Sequence, residues 1–231
     1  SAQHVAAYRM SELAGDVRAI VTELGADRYH VIGHDWGGTV AWTLAGDDDH
    51  RLQSVTVLST AHSLALLHAL RGIEQRARFS YMAVLQVPRL PEAMFSAAGG
   101  VVVERMLMAT GLPRAIARRD VDHLRRVGPT GALNWYRALR IQPRERPRPS
   151  AVPSLYVWGA GDAAFGRDAA EQTEQHVNAP YHFVELEGAS HWIPDLYWRD
   201  IDDLVRDHLG PARRTTRAST RRRPARARAT S

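Results

Sequence analysis

Apolar residues recur at helical spacing from Tyr8 to Gly25, through Met10, Leu13, Val17, Ile20, Val21 and Leu24, and Gly25 supplies a natural stop. A short strand is expected at Tyr29-His30-Val31-Ile32. It breaks at Gly33-His34-Asp35-Trp36-Gly37-Gly38, and the apolar stretch Thr39 to Ala45 reads as helix. Ser54 to Ser59, rich in β-branched residues, predicts the next strand. From about Ala61 to Arg140 the pattern is helical, interrupted at Pro88-Arg89-Leu90-Pro91 and at Gly99-Gly100. Gln142 to Pro153 carries four prolines among arginines and reads as an extended linker. Strand patterns return at Ser154 to Trp158 and Tyr181 to Leu186. A last helix is expected from Asp195 to Leu209, ended by Gly210-Pro211. Strands alternating with helices predict an α/β protein with a mostly parallel sheet and a helical insertion.

Composition changes this picture little. The 231 residues are 45% hydrophobic and 24% charged, enough for one compact core, and no apolar run is long enough to span a membrane. The chain has no cysteine, which excludes disulfides, thiolate catalysis and cysteine-based zinc sites.

The candidate chemistry lies in Gly33-His34-Asp35-Trp36-Gly37, placed between a strand and a helix. This is the small-x-nucleophile-x-small spacing of a nucleophile elbow. Glycines are expected on both sides because so tight a turn leaves no room for Cβ atoms. Such a turn lifts one side chain above the C-terminal edge of the sheet, beside backbone N–H groups that can bind an oxyanion, that of Trp36 among them. The lifted residue here is Asp35. A carboxylate is a poor nucleophile toward esters and amides but can displace a leaving group at saturated carbon, forming an alkyl ester that must then be hydrolysed. The bland alternative is an ordinary Asp N-cap.

Hydrolysis of that ester needs a general base and an acid to orient it. Asp162, in Trp158-Gly159-Ala160-Gly161-Asp162, and His191, in Gly188-Ala189-Ser190-His191-Trp192, follow later strands in the order nucleophile, acid, base. Both are expected on loops at the same sheet edge as Asp35. No acidic residue directly follows the strand ending at Ser59, so Asp162 has no rival there.

On these motifs the chain resembles the α/β-hydrolase superfamily, and within it the epoxide hydrolases and their haloalkane dehalogenase relatives. The Gly-His-Asp-Trp-Gly-Gly elbow is common to both groups, whereas the helical insertion discriminates. Epoxide hydrolases carry two cap tyrosines that hydrogen-bond the epoxide oxygen. One lies in a Tyr-x-x-x-x-Gln-x-Pro-x-x-Pro-Glu pattern, matched here by Tyr81 to Glu92; the other lies in Leu-Asn-Trp-Tyr-Arg, present as Leu133 to Arg137. A phenol can donate to an opening epoxide oxygen without ionising near neutral pH. Aromatic packing is the alternative role for either tyrosine alone. The resemblance thus implies Asp35, Asp162 and His191 with Tyr81 and Tyr136 as catalytic residues, and Trp36 as a substrate-binding wall. No cofactor or metal is implied. The substrates would be a small-molecule epoxide and water.

The domain reading that follows is a hydrolase core over 1–61 and 149–210, a helical cap over 62–148, and a disordered Arg-rich tail over 211–231. The resemblance runs from about residue 8 to 209, without the upstream strands and His-Gly-x-Pro loop of the family. The expectation is therefore an N-terminally truncated epoxide hydrolase with an open sheet edge and half an oxyanion hole, giving marginal stability and slow ester hydrolysis. A haloalkane dehalogenase using the same triad, or an inactive fragment, are the alternatives. Asp47-Asp48-Asp49-His50 reads as a solvated turn, and His62 and His68 as structural residues near the cap entrance.

Charge enters last. The net charge of +5 suggests an acidic partner at first sight, yet all 30 basic residues are Arg. Eight of them lie in residues 211–231, which hold no acid, so the remaining 210 residues carry −3. No nucleic-acid partner is expected for the folded body. With no signal or spanning segment, the expected location is cytoplasmic.

Overall fold

The computed structural model describes residues 4–142 and 147–210. The expected Arg-rich tail and part of the proline-rich linker lie outside the described residues. After a 3₁₀ turn at Val5–Tyr8, the order is α1 (Met10–Glu23), β1 (Tyr29–His34), α2 (Trp36–Ala45) and β2 (Leu52–Leu58). A run of helices follows: α3 (Ser63–Ala69), α4 (Ile73–Arg78), α5 (Tyr81–Leu85), α6 (Leu90–Ser96), α7 (Val101–Ala109), α8 (Arg114–Val127) and α9 (Thr130–Ala138). The chain then returns through β3 (Ser154–Gly159), α10 (Arg167–Gln172), β4 (Tyr181–Leu186), α11 (Ile193–Leu196) and α12 (Trp198–Leu209).

Among the described residues, four strands form one parallel sheet in the order β1-β2-β3-β4. β2 and β3 are central and almost wholly buried, as their near-continuous apolar sequences require; β1 and β4 are the edges and only partly buried. Alternation sends Tyr156 and Trp158 to a face packed by Val40, Trp42 and Leu44 of α2, with Ala14 of α1. Leu155 and Val157 face the other way, against Ile193 and Ile201. The free side of β1 leaves Ile32 about half exposed, at 52%.

Parallel register is what positions the site. His34 pairs with Leu58, Leu58 with Val157, and Gly159 with Leu186, so the C-terminal ends of all four strands reach one edge. The loops leaving that edge carry Asp35, Ser59, Asp162 and His191.

Several expected boundaries move. α2 begins at Trp36 rather than Thr39, because the helix starts directly from the elbow. The last helix divides into α11 and α12, broken at Tyr197, whose φ of −126° lies well outside the helical range. The interruptions in the helical insertion are real: Arg89 adopts a left-handed conformation, as do Ala98, Gly99 and Gly100. Asp49 is not a solvated acid. It accepts hydrogen bonds from Arg51 at 3.0–3.1 Å and from the Tyr29 hydroxyl at 3.0 Å, and the Arg51 contact, foremost, holds its pKa down to about 2.

Candidate active site

Asp35 caps α2 with φ +51° and ψ −121°, a strained backbone for a residue with a Cβ. The sequence tolerates it through two glycines, though not the pair expected. A Cβ at Gly33 would lie 2.3 Å from the Gly37 carbonyl oxygen, and one at Gly38 would lie 2.7 Å from the Thr60 side chain. A Cβ at Gly37 would meet open space, so crowding at the elbow falls on Gly33 and Gly38. The Thr60 hydroxyl also donates to the Asp35 carbonyl at 2.9 Å, and Thr39 N–H donates to the same oxygen at 3.1 Å. The Asp35 carboxylate is left 42% exposed beside the first N–H groups of α2, which have no carbonyl one turn back to bond.

The acid and base meet it from the other loops. Asp162 is buried, with its side chain fully shielded; one oxygen accepts from Ala164 N–H at 2.6 Å and Phe165 N–H at 3.0 Å. The other stands 2.9 Å from His191 Nδ1. The opposite ring nitrogen, Nε2, lies 3.7 Å from Asp35 Oδ1, beyond hydrogen-bond range. Burial pulls the His191 pKa down, but the hydrogen bond and charge of Asp162, together with the charge of Asp35, outweigh it and the net direction is up.

The His191 backbone is held by two residues that sequence patterns did not single out. His34 Nε2 lies 2.9 Å from the His191 carbonyl oxygen, and Ser59 Oγ donates to the same atom at 2.7 Å. Ser59 is buried with φ +59°. The Phe165 ring lies parallel to His191 with centroids 6.3 Å apart.

The two tyrosines come together from elements far apart in the chain. Tyr81 opens α5 and Tyr136 lies in α9, with ring centroids 6.2 Å apart and edge-on. Tyr136 also packs edge-on against Trp36 at 5.2 Å, which brings the elbow against the helical insertion. Burial, above all, pushes both phenols well above the ordinary range; Tyr136 and Asp35 add to the rise at Tyr81, and Asp35 to that at Tyr136. Both stay protonated at neutral pH within reach of the Asp35 charge. The last residues of the two tyrosine motifs explain themselves here: Arg137 grips Glu92 bidentately, at 2.8 and 2.9 Å. His62 is buried, caps α3 by accepting from Leu64 N–H at 3.2 Å, and stacks on His176.

The surroundings of this site have counterparts elsewhere. A family model described as alpha/beta hydrolase fold matches residues 1–196. The AB hydrolase superfamily protein YfhM of Bacillus subtilis is 29% identical over 213 residues, covering 87% of this chain and 73% of its own. Epoxide hydrolase 3 of Xenopus tropicalis is 27% identical, over 87% of this chain and 58% of its own, and epoxide hydrolase A of Mycobacterium tuberculosis is 25% identical, over 82% and 71%. Potato epoxide hydrolase I superposes with a TM-score of 0.74 at 22% identity, over 90% of this chain and 79% of that one. By the match of its fold model over most of its length, the chain belongs to the α/β-hydrolase family, among relatives and structural neighbours named as epoxide hydrolases.

Proposed function

We propose that this hydrolase opens an epoxide to a vicinal diol through an ester on Asp35. The observation that carries the reading is the meeting of two buried phenols, Tyr81 and Tyr136, against Trp36 of the elbow, next to an Asp35 carboxylate that has a His–Asp pair behind it. An ester- or amide-cleaving site would need no such pair of donors beside an acid nucleophile. One Asp35 oxygen attacks an epoxide carbon, the ring C–O bond breaks, and the alkoxide takes a proton from a tyrosine. Trp36 walls the substrate pocket, within a cap taken as residues 62–148. His191 Nε2 then removes a proton from water, which attacks the carboxyl carbon of the ester, with the α2 N–H groups facing the developing oxyanion. The bond from that carbon to the alkyl oxygen breaks, His191 returns the proton to the departing diol, and the carboxylic acid left on Asp35 passes its proton to the tyrosinate, which regenerates both residues. Asp162 keeps the imidazole oriented and stabilises its charged form.

A single turnover of styrene oxide in ¹⁸O-water tests this route. The first diol should carry no solvent label, because its new oxygen comes from Asp35, and the label should appear in the Asp35 carboxylate. Solvent label in the first diol overturns the ester route. Release of halide from a haloalkane, with no diol from epoxides, would identify a dehalogenase instead; no turnover of either class would identify an inactive chain.

A further inference from the structure

The Asp162 loop does not stand by itself. Helix α4, from the helical insertion, lies across it with three contacts. Gln75 is buried, and its amide brackets the loop: Nε2 donates to the Ala164 carbonyl at 2.7 Å, and Oε1 accepts from Gly166 N–H at 3.0 Å. One turn on, Arg78 Nη1 donates to the Asp162 carbonyl at 2.7 Å. Glu74 steadies that guanidinium, accepting from Nε at 3.1 Å and Nη2 at 3.0 Å. The next residue, Phe79, packs edge-on against Phe165 at 5.4 Å and against Tyr81 at 6.5 Å. Each end of the loop segment 162–166 is thus tied to α4, and Phe165 between them lies against the His191 ring.

A purely structural contact between insertion and core would fall anywhere on their boundary. These contacts fall on the five residues that present the acid. Asp162 Oδ1 is held by N–H groups of the same loop, so any shift of the loop moves the carboxylate and its 2.9 Å contact with His191. We propose that Gln75 and Arg78 are positioning residues, holding the Asp162 loop against the insertion so that the His191–Asp162 pair is aligned for ester hydrolysis. The catalytic interpretation rests on the function proposed above; the alignment itself does not.

The experiment uses the full chain with Gln75→Met, Arg78→Met and Arg78→Lys. Stopped-flow tryptophan fluorescence with styrene oxide separates formation of the Asp35 ester from its hydrolysis. Proton NMR follows the His191 Nδ1–H resonance and the His191 titration without any substrate. Loss of either α4 contact should slow ester hydrolysis about 10-fold or more, a larger factor than the change in ester formation. The Nδ1–H resonance should move upfield and the His191 midpoint should fall, since the Asp162 bond favours the charged ring. Arg78→Lys should recover part of both effects, because an ammonium can still donate to the Asp162 carbonyl. Equal slowing of both steps, or an unmoved Nδ1–H resonance in folded Arg78→Met and Gln75→Met, overturns the proposal. If wild-type protein opens no epoxide, the functional reading fails, while the NMR comparison still decides whether α4 aligns the pair.

Discussion

His191 sits between two carboxylates whose demands on it differ during the proposed cycle. Both raise its pKa in the resting site, Asp162 by a hydrogen bond and charge, Asp35 by charge alone across 3.7 Å. Ester formation removes the Asp35 charge and leaves Asp162 in place. The ring should therefore become a neutral base at a lower pH just when a base is needed, a coupling that requires no movement. An Asp35→Asn substitution reproduces the uncharged state with nearly the same shape. Its His191 midpoint, read by NMR, should lie below that of the wild type, and in the wild type hydrolysis of the Asp35 ester should gain rate with pH through this lower midpoint. An unchanged midpoint would mean that Asp35 does not act on His191 across that gap. His34 stays out of this exchange. Burial first, then the nearby His191, lowers its pKa, so it remains neutral and holds the His191 carbonyl.

At the scale of elements, the question is how two phenols 55 positions apart in the chain come together. α5 is only five residues long and α9 only nine, too short to be stable without tertiary support. Part of the support for α9 comes from the Glu92–Arg137 pair, which ties the start of α6 to α9 with both forks engaged and both side chains mostly buried. Arg137→Met should cost ~1–2 kcal/mol in unfolding free energy and slow ester formation more than ester hydrolysis, because it loosens the tyrosines and not the base. Arg206→Met, which breaks an exposed pair with Asp202, should change the stability by less than ~0.5 kcal/mol. If Arg137→Met alters stability alone, the pair is only a brace. This pair also marks where sequence reading stops. Tyr81 and Tyr136 were legible because each lies in a recognisable pattern, but the link between Glu92 and Arg137 depends on how two helices cross. The same holds for Gln75 and Arg78, whose loop partners lie more than 80 positions downstream. The placing of Asp35, Asp162 and His191 was legible for the opposite reason: each lies in the turn or loop that leaves a strand, and parallel strands deliver their C-terminal ends to one edge.

Across the whole molecule, composition makes one property unusually easy to isolate. The chain has neither Lys nor Cys, and its arginines keep their protons to about pH 12 and beyond, so tyrosines are the only side chains that titrate in the range around pH 10. Of its seven tyrosines, five are held above the ordinary phenol range by burial first: Tyr29 on β1, raised to about 12, Tyr81 and Tyr136 at the site, Tyr156 in the core, and Tyr181 on β4. The Tyr156 and Tyr181 hydroxyls are buried with no hydrogen-bond partner among the described residues, which makes a phenolate there costlier still. The sign follows from proton counting. Above about pH 10 the unfolded chain has released these protons and the folded chain keeps them, so unfolding releases protons and stability falls as pH rises. Each retained proton contributes a slope of about 1.4 kcal/mol per pH unit until the folded group itself ionises. Denaturant unfolding followed at several pH values, with tyrosinate absorbance recorded on the folded and unfolded chains, measures both sides of this balance. The five raised phenols of the folded protein should keep their protons past pH 10, and its midpoint denaturant concentration should drop steeply over that range. Complete tyrosine titration of the folded chain near pH 10, with no loss of stability, would mean that the site phenols are open to solvent and the proposed proton donors are not the buried pair described.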